Sequence, residues 1–309
     1  MVISSTSSAI FATTILLILF ASATADREFK LPKSDEMLLE FSLNLEYLEC
    51  EFFLNGATGW GLDQIQPNLT GGGPPPIGVR KANLSLFTRD IIYQFGLQEV
   101  GHIRAIKSTI RGFPRPLMNL SERAFANVMN DAFGERLYPP FDPYANDINY
   151  LLASSVIPYV GLTGYVGANP KLQSRLAKKI VAGLLGIEAG QDASLRTMLY
   201  EQKTRMVIPY NYTVAEFTNR ISELRNMLGR TDIKDEGLIV PRYLGAEGRV
   251  MGNILAGDRN SLSYSRTPEQ ILGIVYQTGN PHIPGGFYPR GANGTIARKY
   301  LKYGPYSKE

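Results

Sequence analysis

Apolar residues recur at three- and four-residue intervals over most of the first two thirds of the chain, the spacing of helices that bury one face. The first such stretch is DEMLLEFSLNLEYLECEFFLNG, residues 35–56. Ser34 is placed to cap it, Asp35 and Glu36 fall in its first turn, and Gly56 can close it. A loop follows, marked by TGGGPPPIG at 70–78. A second long helix is predicted from about Val79 to Arg111, interrupted only by Gly96 and Gly101, and GFPRP at 112–116 stops it. SERAFANVMNDAFG offers a short helix capped by Ser121.

The third long helix should start near Asp142-Pro143 and run through NDINYLLASSVIPYVGLTGYVG, with Pro158 kinking or breaking it. Asn169-Pro170 reads as a cap followed by proline at the first helical position, opening a fourth helix to about Lys203. Capping boxes at Thr213-x-x-Glu216 and Thr267-x-x-Gln270 open two shorter helices, VAEFTNRISELRNMLG and ILGIVYQT. The tail GNPHIPGGFYPRGANG is rich in glycine and proline and reads as irregular structure laid over the rest. Strand signals are poor, since YPPFDPY holds too much proline for a central strand. The pattern predicts an all-α protein: a four-helix bundle with extra C-terminal helices and loops, in one domain over residues 26–309.

The first 25 residues carry no charged side chain, and ATTILLILFASATA has the length of a signal-peptide core. Ala23-Thr24-Ala25 fits the small-x-small cleavage pattern, so the mature chain is expected to start at Asp26. The strongest apolar run, Ile15 to Phe20, is well short of a membrane span, and no later stretch reads as long and apolar enough to be one. Sequons stand at Asn68, Asn83, Asn119, Asn211 and Asn293, each an expected glycosylation site of a protein secreted to the apoplast or cell wall.

Cys50 is the only cysteine, so no intrachain disulfide is available, and its apolar surroundings predict a buried, inert thiol. The net charge of +4 and pI near 9.0 are spread along the chain without a basic block, which argues against nucleic acid. Weak association with acidic cell-wall polymers and assembly into a homo-oligomer are both compatible with this surface.

Candidate chemistry lies mid-helix. The chain has two histidines. One of them, His102, stands three residues after Glu99 in LQEVGHIRAI, so both can face the bundle axis. Glu188 and Gln191 repeat that spacing in LLGIEAGQDASL, and Glu46 sits among apolar neighbours in NLEYLECEFF. A carboxylate there is costly unless paired, protonated or on a metal. Bundle di-metal sites take a Glu from each of two helices and Glu-x-x-His from each of the other two. On that template the expected metal ligands are Glu46, Glu99, His102 and Glu188. Gln191 stands in the position of the second histidine, and VIPYVGLTGY offers no carboxylate on the third helix. Asp192 is a conceivable substitute, while His282 in NPHIPGG reads as a loop residue. Three readings stay open: a solvated face, a metal-free buried network descended from a metal site, and a site still holding one divalent ion, iron or manganese.

Together NLEYLECEFF, LQEVGHIRAI, VIPYVGLTGYVGANP, AGLLGIEAGQDASLRT and GGFYPRGANGTI resemble the plant desiccation-related proteins of the PCC13-62 type, a ferritin-like family. The resemblance runs from about Leu31 to Leu301. It implies a ferritin-like bundle, a secreted plant protein and an association with drying stress, without bringing a reaction. It carries Glu46, Glu99, His102 and Glu188 over as ligands and fails at Pro158, about where relatives place their helix-3 Glu, and at Gln191. The expected role is therefore protective or structural, around a degenerate di-metal site. The alternatives are a metal-dependent oxidoreductase and an extracellular metal-binding protein.

Overall fold

The computed structural model describes residues 31–302. The expected signal segment and the start at Asp26 lie outside them. Helix α1 is Lys33–Thr58 and α2 is the single turn Leu62–Ile65. Next come α3, Leu86–Thr109, and α4, Glu122–Phe133. The third bundle helix is in two pieces, α5 Asp147–Ser154 and α6 Pro158–Ala168. The fourth is α7, Arg175–Glu201. Helices α8 (Val214–Leu228), α9 (Pro268–Val275) and α10 (Gly294–Lys302) complete the described chain. Strand pairing among the described residues is limited to isolated bridges.

Local chemistry explains where these helices start. Ser121 caps α4 by accepting from the Ala124 N–H, and the boxes at Thr213 and Thr267 form as their spacing predicts. Other boundaries differ from the sequence reading. Ser34 lies inside α1, which also runs two residues beyond Gly56. Residues 79–85 are irregular, and α3 begins only after Ser85, whose side chain accepts from the Thr88 N–H. The third helix waits for the Asn146 cap, and Asn169-Pro170 makes a 3-10 turn while Ser174 caps α7. In each case the chain uses a later hydroxyl or amide whose side chain reaches the third N–H of the helix. The tail GNPHIPGGFYPRGANG is irregular as its composition predicts, and α10 begins at its last residue, Gly294.

Pro158 breaks the third helix outright and becomes the first residue of α6. The carbonyl of Ser155, at the break, accepts from the Arg225 guanidinium of α8. By length and composition the stretch Asp147–Lys171 could cross a bilayer, contrary to the sequence reading. It is a core element instead, with 78% of its apolar window buried.

Packing follows from the apolar faces. Helix α1 lies along α3 and α6 along α7, and the pairs meet through α1 against α6 and α3 against α7. Gly96 is a contact point rather than an interruption. A Cβ there would fall 2.7 Å from Leu54 Cδ2 and 3.0 Å from the Leu54 backbone nitrogen, so only glycine lets α1 and α3 approach this closely. From Phe41 to Ala57 every residue of α1 is buried, whichever way it points. This helix is enclosed on all sides.

Asp35 ties two of these helices together. Its carboxylate accepts from the backbone N–H groups of Gln173 (3.0 Å) and Ser174 (2.7 Å), the donors that precede α7. Burial alone would raise its pKa, but the N–H groups of Ser174 and Gln173 outweigh that and hold it below 3.8. A carboxylate depressed on folding adds stability above its unfolded value and loses it as pH falls through the folded one. Asp35→Ala should therefore cost about 1–2 kcal/mol at neutral pH. The difference from wild type should shrink once acid protonates the wild-type carboxyl. Urea melts at pH 7 and pH 3 check this, and an equal loss at both would refute the linkage.

Candidate metal centre

Three helices supply the cluster expected from sequence. Glu46 comes from α1, Glu99 and His102 from one face of α3, and Glu188 from α7. All four are buried, none more than 7% exposed. Their candidate ligand atoms lie within 4.8 Å of one another. His102 Nδ1 is the focus, at 3.0 Å from Glu46 Oε2, 3.1 Å from Glu99 Oε2 and 3.6 Å from Glu188 Oε1.

That arrangement tests whether a metal fits. One ring nitrogen carries at most one proton and can satisfy one strong acceptor, yet three carboxylates converge on it. A cation placed among these four groups would satisfy all of them, and imidazole with carboxylates suits iron, manganese or zinc. The donor set fits a divalent ion.

Neighbouring groups hold the carboxylates in place. The Tyr165 hydroxyl, from α6, donates to Glu46 Oε1. Gln191 Nε2 donates to Glu99 Oε1 at 2.6 Å and to Gln98 Oε1 at 3.0 Å, so the residue in the second histidine position serves here as a donor.

Burial and mutual repulsion set the charges of the metal-free cluster. Burial, then Glu188, push Glu99 well above the usual carboxylate range, and burial lifts Glu188 to about 7. Burial works against a charged His102, but Glu99 and Glu46 prevail and raise it. Glu46 goes the other way. Burial would raise it, and the His102 charge together with hydrogen bonds holds it down. The metal-free centre is thus a His102–Glu46 ion pair beside carboxyls that retain protons.

The remaining sequence expectations fall on either side. The position of α6 that abuts the centre is Gly161 and not Pro158, which opens the helix nearly a turn earlier. A Cβ on Gly161 would meet Glu49 Oε1 at 3.0 Å and Glu188 Oε2 at 3.4 Å. Asp192 is no substitute ligand. It lies outside the cluster, where burial raises it to about 6 against the charges of Arg196 and Arg225. His282 lies in the tail, with Nδ1 2.6 Å from the Tyr300 carbonyl oxygen. Cys50 is buried, and burial with Glu51 pushes its thiol up, so it does not ionise readily. Asn68, Asn83 and Asn211 are exposed, while Asn119 and Asn293 are half-buried.

Glu49 escaped the sequence reading. It is 1% exposed and neither carboxylate oxygen has a hydrogen-bond partner. The signal was available, since Glu46-x-x-Glu49 repeats the spacing of Glu99-x-x-His102. The third acid of that run, Glu51, points elsewhere, into an ion pair with the buried Arg115.

The family model for the ferritin-like domain matches residues 34–201, which take in α1 to α7 and every residue of the cluster. The chain belongs to the ferritin-like family. It is 62% identical over 264 residues to the desiccation-related protein PCC13-62 of Craterostigma plantagineum, covering 85% of this chain and 84% of that one. It is 56% identical over 269 residues to the ferritin-like catalase Nec2 of Nesocodon mauritianus, covering 87% and 86%. No solved structure matches the chain. In this ferritin-like protein, helices α8 to α10 lie beyond the matched domain.

Proposed function

We propose that this is a secreted ferritin-like protein of the water-deficit response whose bundle centre binds a divalent metal through Glu46, Glu99, His102 and Glu188. The convergence of three buried carboxylates on one imidazole nitrogen carries this reading. The similarity to a desiccation-related protein supports the stress association. Secretion rests on the apolar leader ending at Ala25, and the exposed sequons at Asn68, Asn83 and Asn211 suit glycosylation.

A second reading, dismutation of hydrogen peroxide, is favoured by the likeness to a protein named a catalase. A redox-active ion bound at the centre would supply electron exchange. The chain's own part would be to hold and move protons at Glu188 and to fix Glu46 through Tyr165. A narrow cleft of about 30 Å³ lined by Phe41, Leu45, Gly164 and Ile271 also touches Gly161 and Tyr165, room for a molecule little larger than water.

Protein secreted by a plant host should contain stoichiometric iron or manganese by elemental analysis, and His102→Ala should lose it. Oxygen release from peroxide by the loaded wild type alone would select the second reading. A wild type that neither retains nor takes up iron, manganese or zinc would overturn both.

A further inference from the structure

We infer that Glu49 is a metal ligand, and that with Glu188 it builds a second divalent-cation subsite beside the one at His102. The inference rests on the metal-binding reading above and extends it to an atom set outside the four-residue cluster.

Four buried oxygens near the centre have no donor: both of Glu49, Oε2 of Glu188 and Oε1 of Gln191. A buried carboxylate with neither partner is costly, and two unpaired oxygens on one side chain are unusual in a packed core. Protonation of Glu49 would let its O–H donate to Glu188, but it leaves the second Glu49 oxygen and Gln191 Oε1 without a donor. A cation answers the acceptors directly. All four atoms are hard oxygen donors, which suit manganese(II) or iron(II) better than copper or zinc.

The geometry assigns the shared ligand. Glu188 turns Oε1 toward His102 and Oε2 toward Gly161, the glycine that also abuts Glu49 Oε1. One carboxylate thus faces both subsites. Glu46 and Glu49 lie three residues apart on one face of α1, a rise of about 4.5 Å. Paired ions in two-metal sites sit about 3.5–4 Å apart.

Charge closes the argument. With Glu46, Glu99 and Glu188 alone, three negative charges would face the four positive charges of two divalent ions. Glu49 supplies the fourth. The carboxylate missing from the third helix is replaced from the first, and Gly161 leaves the space into which it reaches. A side chain at 161 would press on Glu49, which would have to give way by a few tenths of an ångström.

The test uses the full mature chain, stripped with a chelator and titrated with Mn(II). Stoichiometry is read by elemental analysis after gel filtration, and proximity of the ions by electron paramagnetic resonance. Wild type should take up two ions with a spin-coupled spectrum. Glu49→Gln should take up one, with the isolated six-line signal. Gly161→Ala serves if Glu49→Gln does not fold, because alanine favours a helix while its methyl group makes Glu49 give way by a few tenths of an ångström, and it should weaken uptake of the second ion relative to the first. One ion in both wild type and Glu49→Gln would overturn the role of Glu49 and leave the His102 site standing. So would two ions in both. No uptake by the wild type would overturn the underlying metal reading as well.

Discussion

Replacing Glu99 by Gln should leave the metal-free protein folded, with a melting temperature equal to or above that of wild type. It should also abolish the rise in melting temperature that Mn(II) or Fe(II) gives the wild type. The first half follows from burial, which holds the Glu99 carboxyl well above its usual range. A neutral amide of the same shape replaces an already neutral acid and can still accept from Gln191. The second half follows from ligand chemistry, because an amide oxygen is a weaker donor than a carboxylate. An ion present at 100 times its dissociation constant stabilises by about 2.7 kcal/mol, or roughly 5 °C or more for a chain of this size.

The same pKa shifts fix the sign of a pH effect. A carboxyl raised on folding contributes stability below its unfolded value, near 4.5, and loses it as pH rises through the folded one. Metal-free wild type should therefore weaken between pH 5 and pH 8, across the Glu188 value of about 7, and Glu99→Gln should flatten the slope. Calorimetry with and without metal measures both effects. A Glu99→Gln protein that still responds to the ion would remove Glu99 from the ligand set.

Asp235→Asn should destabilise the fold by about 3–5 kcal/mol, the usual cost of stripping one partner from a buried ion pair. The melting temperature should fall by roughly 10 °C. Asp235 is 2% exposed and lies between two buried guanidiniums. It accepts from Arg225 Nη2 at 2.9 Å and from Arg266 Nη2 at 3.2 Å. Arg225 also serves the Ser155 carbonyl at the α5–α6 break, and Arg266 donates to Thr163 Oγ1. Both guanidiniums stack on the Tyr159 ring, 5.5 and 5.7 Å from its centroid. Asparagine keeps the shape and loses the charge, so two cations remain buried with no counter-ion between them. A fall of less than about 3 °C would show that water reaches the pair and screens it.

Helix starts at Ser121, Thr213 and Thr267 were legible because the capping pattern is local and the residues involved are neighbours. The starts at Ser85, Asn146 and Ser174 were not. Earlier breakers at TGGGPPPIG (70–78), Asp142-Pro143 and Asn169-Pro170 looked adequate, and only packing settles which turn begins the helix. Glu46, Glu99, His102 and Glu188 were legible from three-residue spacing and apolar context. Glu49 was missed because α1 is buried all round, so the apolar pattern gives no direction to choose between its acids. Gly161 was missed for a related reason: an absent side chain leaves no mark that singles it out from Gly164 or Gly167. The Arg225–Asp235–Arg266 network joins residues whose separation in sequence conceals their meeting.

The enclosure of α1 bears on how the protein is made. The helix is among the first parts of the chain to be synthesised, yet some of its partners are among the last. The Tyr288 hydroxyl donates to the Asn44 carbonyl, and the Asn44 side chain exchanges hydrogen bonds with the backbone of Asn293, across 244 and 249 residues of sequence. At roughly 5–20 residues per second, α1 waits about 10–50 s for them. During that interval a long apolar helix carrying buried-type acids stands with an open flank. Long-range closure of this kind folds slowly and invites association between nascent chains. The protein's yield in a cell should therefore depend on chaperones that shield its first helix until its C-terminal segment has emerged.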